Sequence, residues 1–216
     1  MPRTIIFANG ALKQPELIRT HLHPSDRIIC ADGGTRHALV LGLTPDLIVG
    51  DLDSLAAEMR TELEAAGVRF DIHPVRKDET DLELAIRLAI DEGADEIDLL
   101  ALLGGRLDQS LANMMLLARP DWSSARLRAV EAHEIAWAVR GGQTARVEGR
   151  PGDTLSLIPL TPTVVGVTLT GVEWPLDGAR LQFGSTLTVS NVLAAPSAHL
   201  QIKDGIVLVI HSKEVM

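Results

Sequence analysis

The chain changes character once along its length, and that change limits the folds open to it. From Thr4 to about Ala118, short β-rich runs alternate with helical patterns, whereas after "RPDWSS" the helical signal fades. In the first stretch "TIIFA", "RIICA", "DLIVG", "VRFDI" and "EIDLLALL" read as strands without strict alternation, as strands buried on both faces do. Between them lie helix candidates: "PELIRTHL" behind Pro15, one starting near Thr35, and "LAAEMRTELEAAG" stopping at Gly67. In "TDLELAIRLAIDEG", Leu82, Ala85, Ile86, Ala89 and Ile90 fall on one helical face, Thr80 and Glu83 form a capping box, and Gly93 ends the helix. Leu107, Leu111, Met114 and Ala118 make a second helical stripe. Such alternation predicts an α/β fold, an open, mostly parallel, Rossmann-like sheet with helices on both faces.

The second stretch predicts something else. "RLRAVEA", "EIAWAV", "ARVEG", "TLSLIPL", "VVGVTLTG", "ARLQFG", "STLTVSN", "AHLQIK" and "IVLVIHS" are short, rich in β-branched residues and Leu, and punctuated by Gly, Pro, Asp and Asn. That is the pattern of an antiparallel β-sandwich or small barrel. A chain of 216 residues suffices for both parts. The boundary falls between about 120 and 145, since the first of these strands can still extend the α/β sheet, and the division is drawn at 1–132 and 133–216.

Charge and cysteine content narrow the function. A net charge of −9 opposes general nucleic-acid or anionic-membrane binding, but not capture of a single nucleotide. The lone Cys30 has no disulfide or zinc partner, and neither a secretory signal nor a spanning apolar stretch is present, so a soluble cytoplasmic protein is expected.

Ligands of open parallel sheets bind beyond the carboxyl ends of the strands, and polar clusters fall at those places here. "DGG" (Asp32, Gly33, Gly34) follows one strand, "DLDS" (Asp51 to Ser54) the next, "KDETD" precedes a helix, and "GGRLDQ" (Gly104 to Gln109) follows "EIDLLALL". Asp51 and Asp53, two positions apart in extended chain, point to the same side, and Asp81 arrives from a neighbouring loop. Carboxylates without His or Cys suit Mg²⁺ and disfavour zinc. Singly, each aspartate is better explained by helix capping or dipole complementation; together on one edge they read as a metal site. The paired glycines 33–34 and 104–105 allow close backbone approach to phosphate, or simply make tight turns. Arg106 suits phosphate recognition, with a surface salt bridge as the plain alternative.

The familiar nucleotide signatures are absent: there is no G-x-x-x-x-G-K-[ST], and no G-x-G-x-x-G after the first strand. The histidines suggest no triad, and His21 and His23 read as solvent-facing. In the β-rich part, Trp174 in "GVEWPL" can stack on a flat heterocycle or sit in a core, and Ser190 and Asn191 in "VSN" can bind a ligand or close a turn.

Taken in order, "ADGG", "GDLDS", "KDETD", "GGRLD", "GVEWPL" and "VSN" resemble the motif series of the thiamine pyrophosphokinase (thiamine diphosphokinase) family, over about residues 28 to 210. The resemblance implies transfer of a diphosphoryl group from ATP to the hydroxyl of thiamine, giving thiamine diphosphate and AMP. It implies a homodimer with an N-terminal catalytic domain, a C-terminal β-sandwich, and thiamine sites at the subunit interface. Carried over by motif, Asp51, Asp53 and Asp81 would hold Mg²⁺. Asp32, Gly33, Gly34, Thr80, Gly104, Gly105, Arg106 and Asp108 would line the nucleotide and phosphate region. Trp174, Ser190 and Asn191 would meet thiamine. Two positions depart from the pattern: Arg36 stands where Asn is common, and Gln109 where His is frequent. The alternatives are a pyrophosphokinase for another hydroxymethyl heterocycle, such as a pterin, and a non-catalytic sensor of thiamine diphosphate or a nucleotide.

Overall fold

In a computed structural model, residues 2–214 are described, and the chain divides into two compact units, Met1–Ala132 and His133–Met216. The first unit runs β1 (Thr4–Phe7), α1 (Pro15–His21), β2 (Arg27–Ala31), α2 (Thr35–Val40), β3 (Leu47–Gly50), α3 (Ala57–Ala65), β4 (Arg69–Ile72), α4 (Asp81–Asp91), β5 (Glu96–Leu100), α5 (Leu107–Leu116) and β6 (Arg126–Val130). Its strands lie in the order β6-β5-β1-β2-β3-β4, every neighbouring pair parallel. All four residues of β1 and of β3 are buried, which requires cover on both faces of the sheet's centre. Ile5, Ile6, Ile29, Ile48, Ile97 and Leu99 form that centre, and the inward face of α4 (Leu82, Ala85, Ile86, Ala89) is buried as its spacing predicts. At one edge β4 is half exposed, as an edge strand can be.

Several local outcomes differ from the sequence reading. The run "EIDLLALL" is a strand only to Leu100; Ala101 takes a left-handed φ of 55° and the chain turns away. Thr80 caps α4 by accepting from the Glu83 amide (3.2 Å), but the Glu83 carboxylate is taken by Arg119, so the box is half used. His21 does not face solvent: its Nε2 lies 2.8 Å from Oδ2 of the fully buried Asp98, which also binds Arg128 through two hydrogen bonds and Arg3 at 3.2 Å. The stripe expected on α5 is open at its start, with Leu107 84% and Leu111 60% exposed, and half-buried at Met114, while Ala118 lies beyond the helix.

The second unit is all β: β7 (Glu134–Arg140), β8 (Thr144–Glu148), β9 (Thr154–Pro159), β10 (Thr163–Thr170), β11 (Leu176–Gln182), β12 (Asn191–Val192), β13 (Ser197–Gln201) and β14 (Ile206–Ser212). They pair antiparallel in the orders β12-β9-β14-β7 and β11-β10-β13-β8. Val139, Leu155, Leu157 and Val209 of the first set and Val147, Val164, Leu169 and Leu200 of the second share one buried cluster. The expected strand "STLTVSN" is mostly a turn. The Val189 amide bonds the Thr186 carbonyl, the Thr188 hydroxyl is drawn in to the Leu157 carbonyl (2.6 Å), and Ser190 has a φ of 61° before β12 begins.

Candidate active site

The carboxyl edge of the parallel sheet gathers the polar loops. Strands β2, β3 and β4 lie on one side of β1 and β5 and β6 on the other, so the strand order reverses between β1 and β5, where such sheets open a ligand crevice. The loops after these two strands run side by side: the Ala8 amide bonds the Leu100 carbonyl, Gly10 bonds Ala101, and Ala11 bonds Leu103. Gly104, Gly105 and Arg106 follow directly. Arg106 stands before α5 and is gripped by Asp108 through Nε–Oδ1 (3.1 Å) and Nη2–Oδ2 (2.5 Å). Their hydrogen bond lifts the guanidinium further above its ordinary value and lowers the carboxyl. Of the expected phosphate-facing glycines, Gly104 already gives its N–H to Ser110 Oγ (3.2 Å).

One strand further, the ends of β2 and β3 bring Asp32, Asp51 and Asp53 together, with one carboxylate oxygen of each within 4.8 Å of the others. Residues 51–53 are not the extended chain expected from the sequence: a left-handed Leu52, not period-two alternation, sets the directions of Asp51 and Asp53. Asp32 and Leu52 both hold left-handed φ values, 44° and 62°, which non-glycine residues adopt at a cost of about 1–3 kcal/mol each and which cluster at functional sites. Gly34 tucks against β1 so closely that a Cβ would stand 2.1 Å from the Phe7 carbonyl oxygen. Gly50, at a φ of 151°, lies between two of the carboxylates: a Cβ there would be 3.0 Å from Asp32 Cβ and 3.3 Å from Asp81 Cγ. Asp81, on the first turn of α4, therefore borders the group without entering its closest set.

The arrangement is electrostatically loaded. The Asp53 carboxyl is pushed above the ordinary carboxylate range, first by the charge of Asp51 and further by Asp32 and Asp81. A hard divalent cation offsets such repulsion, and an all-oxygen donor set is what Mg²⁺ takes. Neither Asp53 nor Ser54 caps α3, whose N-cap is Ala56 with no side-chain bond. Two contacts at this edge, made by residues of the "DLDS" and "KDETD" clusters, were not read from the sequence. Ser54 Oγ donates to Asp32 Oδ1 (2.8 Å), tying the two acidic loops together, and nearly buried Lys77 places Nζ 2.9 Å from Asp81 Oδ1. Lys77 precedes the α4 N-cap, so no helical spacing announced its pairing with Asp81, and nothing local announced the Ser54 bond.

In the second unit Trp174 is 56% exposed, and Asn191 is buried. The Asn191 side chain bonds the Trp174 backbone at both ends, accepting from its N–H (3.1 Å) and donating to its carbonyl (2.8 Å). The Ser190 amide is held by Ser156 Oγ (2.9 Å).

Fold and site define a protein of two units, one carrying an acidic, cation-type cluster at the carboxyl edge of a parallel sheet, the other an all-β unit with an exposed indole. Residues 18–129 match the model of the thiamin pyrophosphokinase catalytic domain, and residues 143–207 match that of the thiamin pyrophosphokinase vitamin B1 binding domain. The chain belongs to the thiamin pyrophosphokinase family. It is 29% identical over 186 residues to the thiamine pyrophosphokinase of Bacillus subtilis (strain 168), covering 86% of this chain and 87% of that one. Crystal structures of thiamine pyrophosphokinases from Bacillus subtilis (TM-score 0.86, 26% identity, 100% of both chains) and Geobacillus thermodenitrificans (TM-score 0.83, 30% identity, 99% and 98%) share the fold.

Proposed function

We propose that this chain is a thiamine diphosphokinase, transferring the diphosphoryl group of ATP to the hydroxyl of thiamine and so serving thiamine diphosphate biosynthesis. The observation that carries the reading is the grouping of Asp32, Asp51 and Asp53 at the carboxyl edge of a parallel sheet, inside the stretch that matches the family's catalytic domain. In this reading the first unit, Rossmann-like with helices on both faces, takes ATP, and the second, a β-sandwich, takes thiamine.

Asp51, Asp53 and Asp81 are the proposed Mg²⁺ holders, with Asp32 a further oxygen donor beside them; the raised Asp53 carboxyl fits a set built to share a cation. When bound, the ion supplies charge neutralisation on the transferring phosphates. The chain's own part is positioning. Gly105, with open space beside it, admits phosphate close to the backbone, Gly33, Gly34 and Gly104 shape the packed turns next to it, Thr80 and Asp108 line the same edge, and Arg106, its fork aimed by Asp108, offsets charge around the β-phosphate. The thiamine oxygen bonds the β-phosphorus, the bridge to the α-phosphate breaks, AMP leaves, and the hydroxyl proton passes to a carboxylate of the group. Trp174 and Ser190 are the proposed thiamine contacts.

A homodimer in the cytoplasm is the proposed working form. The open apolar side of α5 is consistent with a subunit contact, and the free thiol of buried Cys30 with a reducing compartment. No helix among the described residues is long and apolar enough to cross a membrane.

Incubation with ATP and Mg²⁺, separately with thiamine and with a hydroxymethylpterin, tests the assignment by chromatography. AMP is expected with thiamine alone. AMP from the pterin reaction moves the enzyme to another substrate, and thiamine binding without turnover makes it a sensor.

A further inference from the structure

Asn191 sits in a place that a substrate ligand does not need. It is 5% exposed, its backbone is paired in β12 opposite Leu155 of β9, and its side chain makes three hydrogen bonds, all to backbone groups. Oδ1 accepts from the Trp174 N–H (3.1 Å) and from the Val192 N–H (2.9 Å), while Nδ2 donates to the Trp174 carbonyl (2.8 Å). This pattern fixes the amide's orientation, because a flipped amide would face two N–H donors with an NH₂ group. Both accepting positions of Oδ1 are thereby filled.

The segment that Asn191 grips is otherwise held by little. Trp174 lies between the isolated pairing of Val172 with Leu193 and the start of β11 at Leu176, and the Glu173 amide bonds the Val192 carbonyl (2.9 Å). Trp174 is more than half exposed, so packing around it is sparse. What fixes the peptide that carries the ring is one side-chain amide, seventeen residues away in sequence, bonding both its N–H and its C=O. A buried Asn bonded at both its oxygen and its nitrogen holds a backbone more rigidly than a turn does alone.

We infer that Asn191 is a positioning residue, not a substrate ligand: it sets the Trp174 backbone, and through it the angle at which the exposed indole meets a flat cationic heterocycle. This rests on the proposed contact between Trp174 and thiamine. It separates the "VSN" pair by role, with Asn191 acting through Trp174 and Ser190 left as the group nearer the surface.

A double-mutant cycle on the full-length protein tests the inference, with thiamine KM, ATP KM and thermal unfolding read for each variant. Asn191→Ala is expected to raise thiamine KM on the order of 10- to 100-fold, the scale of a misplaced binding group, with ATP KM unchanged. Trp174→Ala is expected to do the same, and adding Asn191→Ala to it should change thiamine KM no further. Should Asn191→Ala not fold, Asn191→Asp serves in its place: it keeps the acceptor, loses the donor and sets a carboxylate against the Trp174 carbonyl. Independent, multiplying effects of the two substitutions would show Asn191 touching substrate directly and overturn the inference. If Trp174→Ala leaves thiamine KM unchanged while turnover persists, the indole contact itself is wrong and the inference falls with it, the diphosphokinase reading standing.

Discussion

Ser54 Oγ donates to Asp32 Oδ1 across 2.8 Å, joining the loop after β3 to the loop after β2. The bond spends one Asp32 oxygen on orientation and aims its carboxylate into the group formed with Asp51 and Asp53. Partners of this kind typically govern metal affinity by roughly 10- to 100-fold. Ser54→Ala is therefore expected to weaken Mn²⁺ binding, read by electron paramagnetic resonance as free ion, by about tenfold. Asp53→Asn should weaken it more, and both proteins should remain folded. Unchanged Mn²⁺ binding in both variants would remove this edge as the cation site.

Crowded carboxylates also predict a pH signature. The folded-state pKa of Asp53 is raised, chiefly by Asp51, so at pH values between the unfolded and folded pKa the folded protein holds a proton that the unfolded chain has released. Stability from this group is thus present below the ordinary carboxylate pKa and is lost as pH rises through the elevated folded value. Without divalent metal, Asp53→Asn is expected to melt higher than the parent at neutral pH, and the advantage should vanish below about pH 4, the ordinary carboxylate value. Mg²⁺ should raise the parent's melting temperature and the variant's much less. A variant that melts lower at neutral pH would mean that the cluster's repulsion is already relieved inside the protein.

Asp98 makes the opposite case. Burial pushes its carboxyl up, but hydrogen bonds from His21 and Arg128 outweigh that and hold it below its ordinary value. Stability from Asp98 is therefore present above the ordinary carboxylate pKa and lost as pH falls through the depressed folded value. Asp98→Ala removes the buried acceptor that His21, Arg3 and Arg128 share, leaving Arg3 with Asp26 and Arg128 with Glu96, and is expected to cost about 3 kcal/mol in denaturant unfolding, as breaking a buried ion pair does. A change well under 1 kcal/mol would mean that these partners find water instead.

Much of this was legible in the sequence for a physical reason. Buried parallel strands need unbroken apolar runs, so β1, β2, β3 and β5 announce themselves, and the helical stripe of α4 survives because one face packs on β1, β2 and β3. The motif order likewise places Asp32, Asp51 and Asp53 at one edge. What stayed hidden depends on long-range partners. No local pattern ties Ser54 to Asp32, His21 to Asp98, or Asn191 to Trp174, because each pair is brought together only by the finished fold. The "STLTVSN" run shows the converse: its β-propensity yields to the turn around Thr188 and to the left-handed Ser190.

The central claim is that two phosphates move as one group. ATP labelled with ³²P at the β-position and, in a parallel reaction, at the α-position tests it directly in the presence of Mg²⁺ and thiamine. The account predicts β-label in thiamine diphosphate and α-label in AMP, with the two products formed in equal amounts. β-Label recovered in ADP beside thiamine monophosphate would mean transfer of a single phosphate and would contradict it.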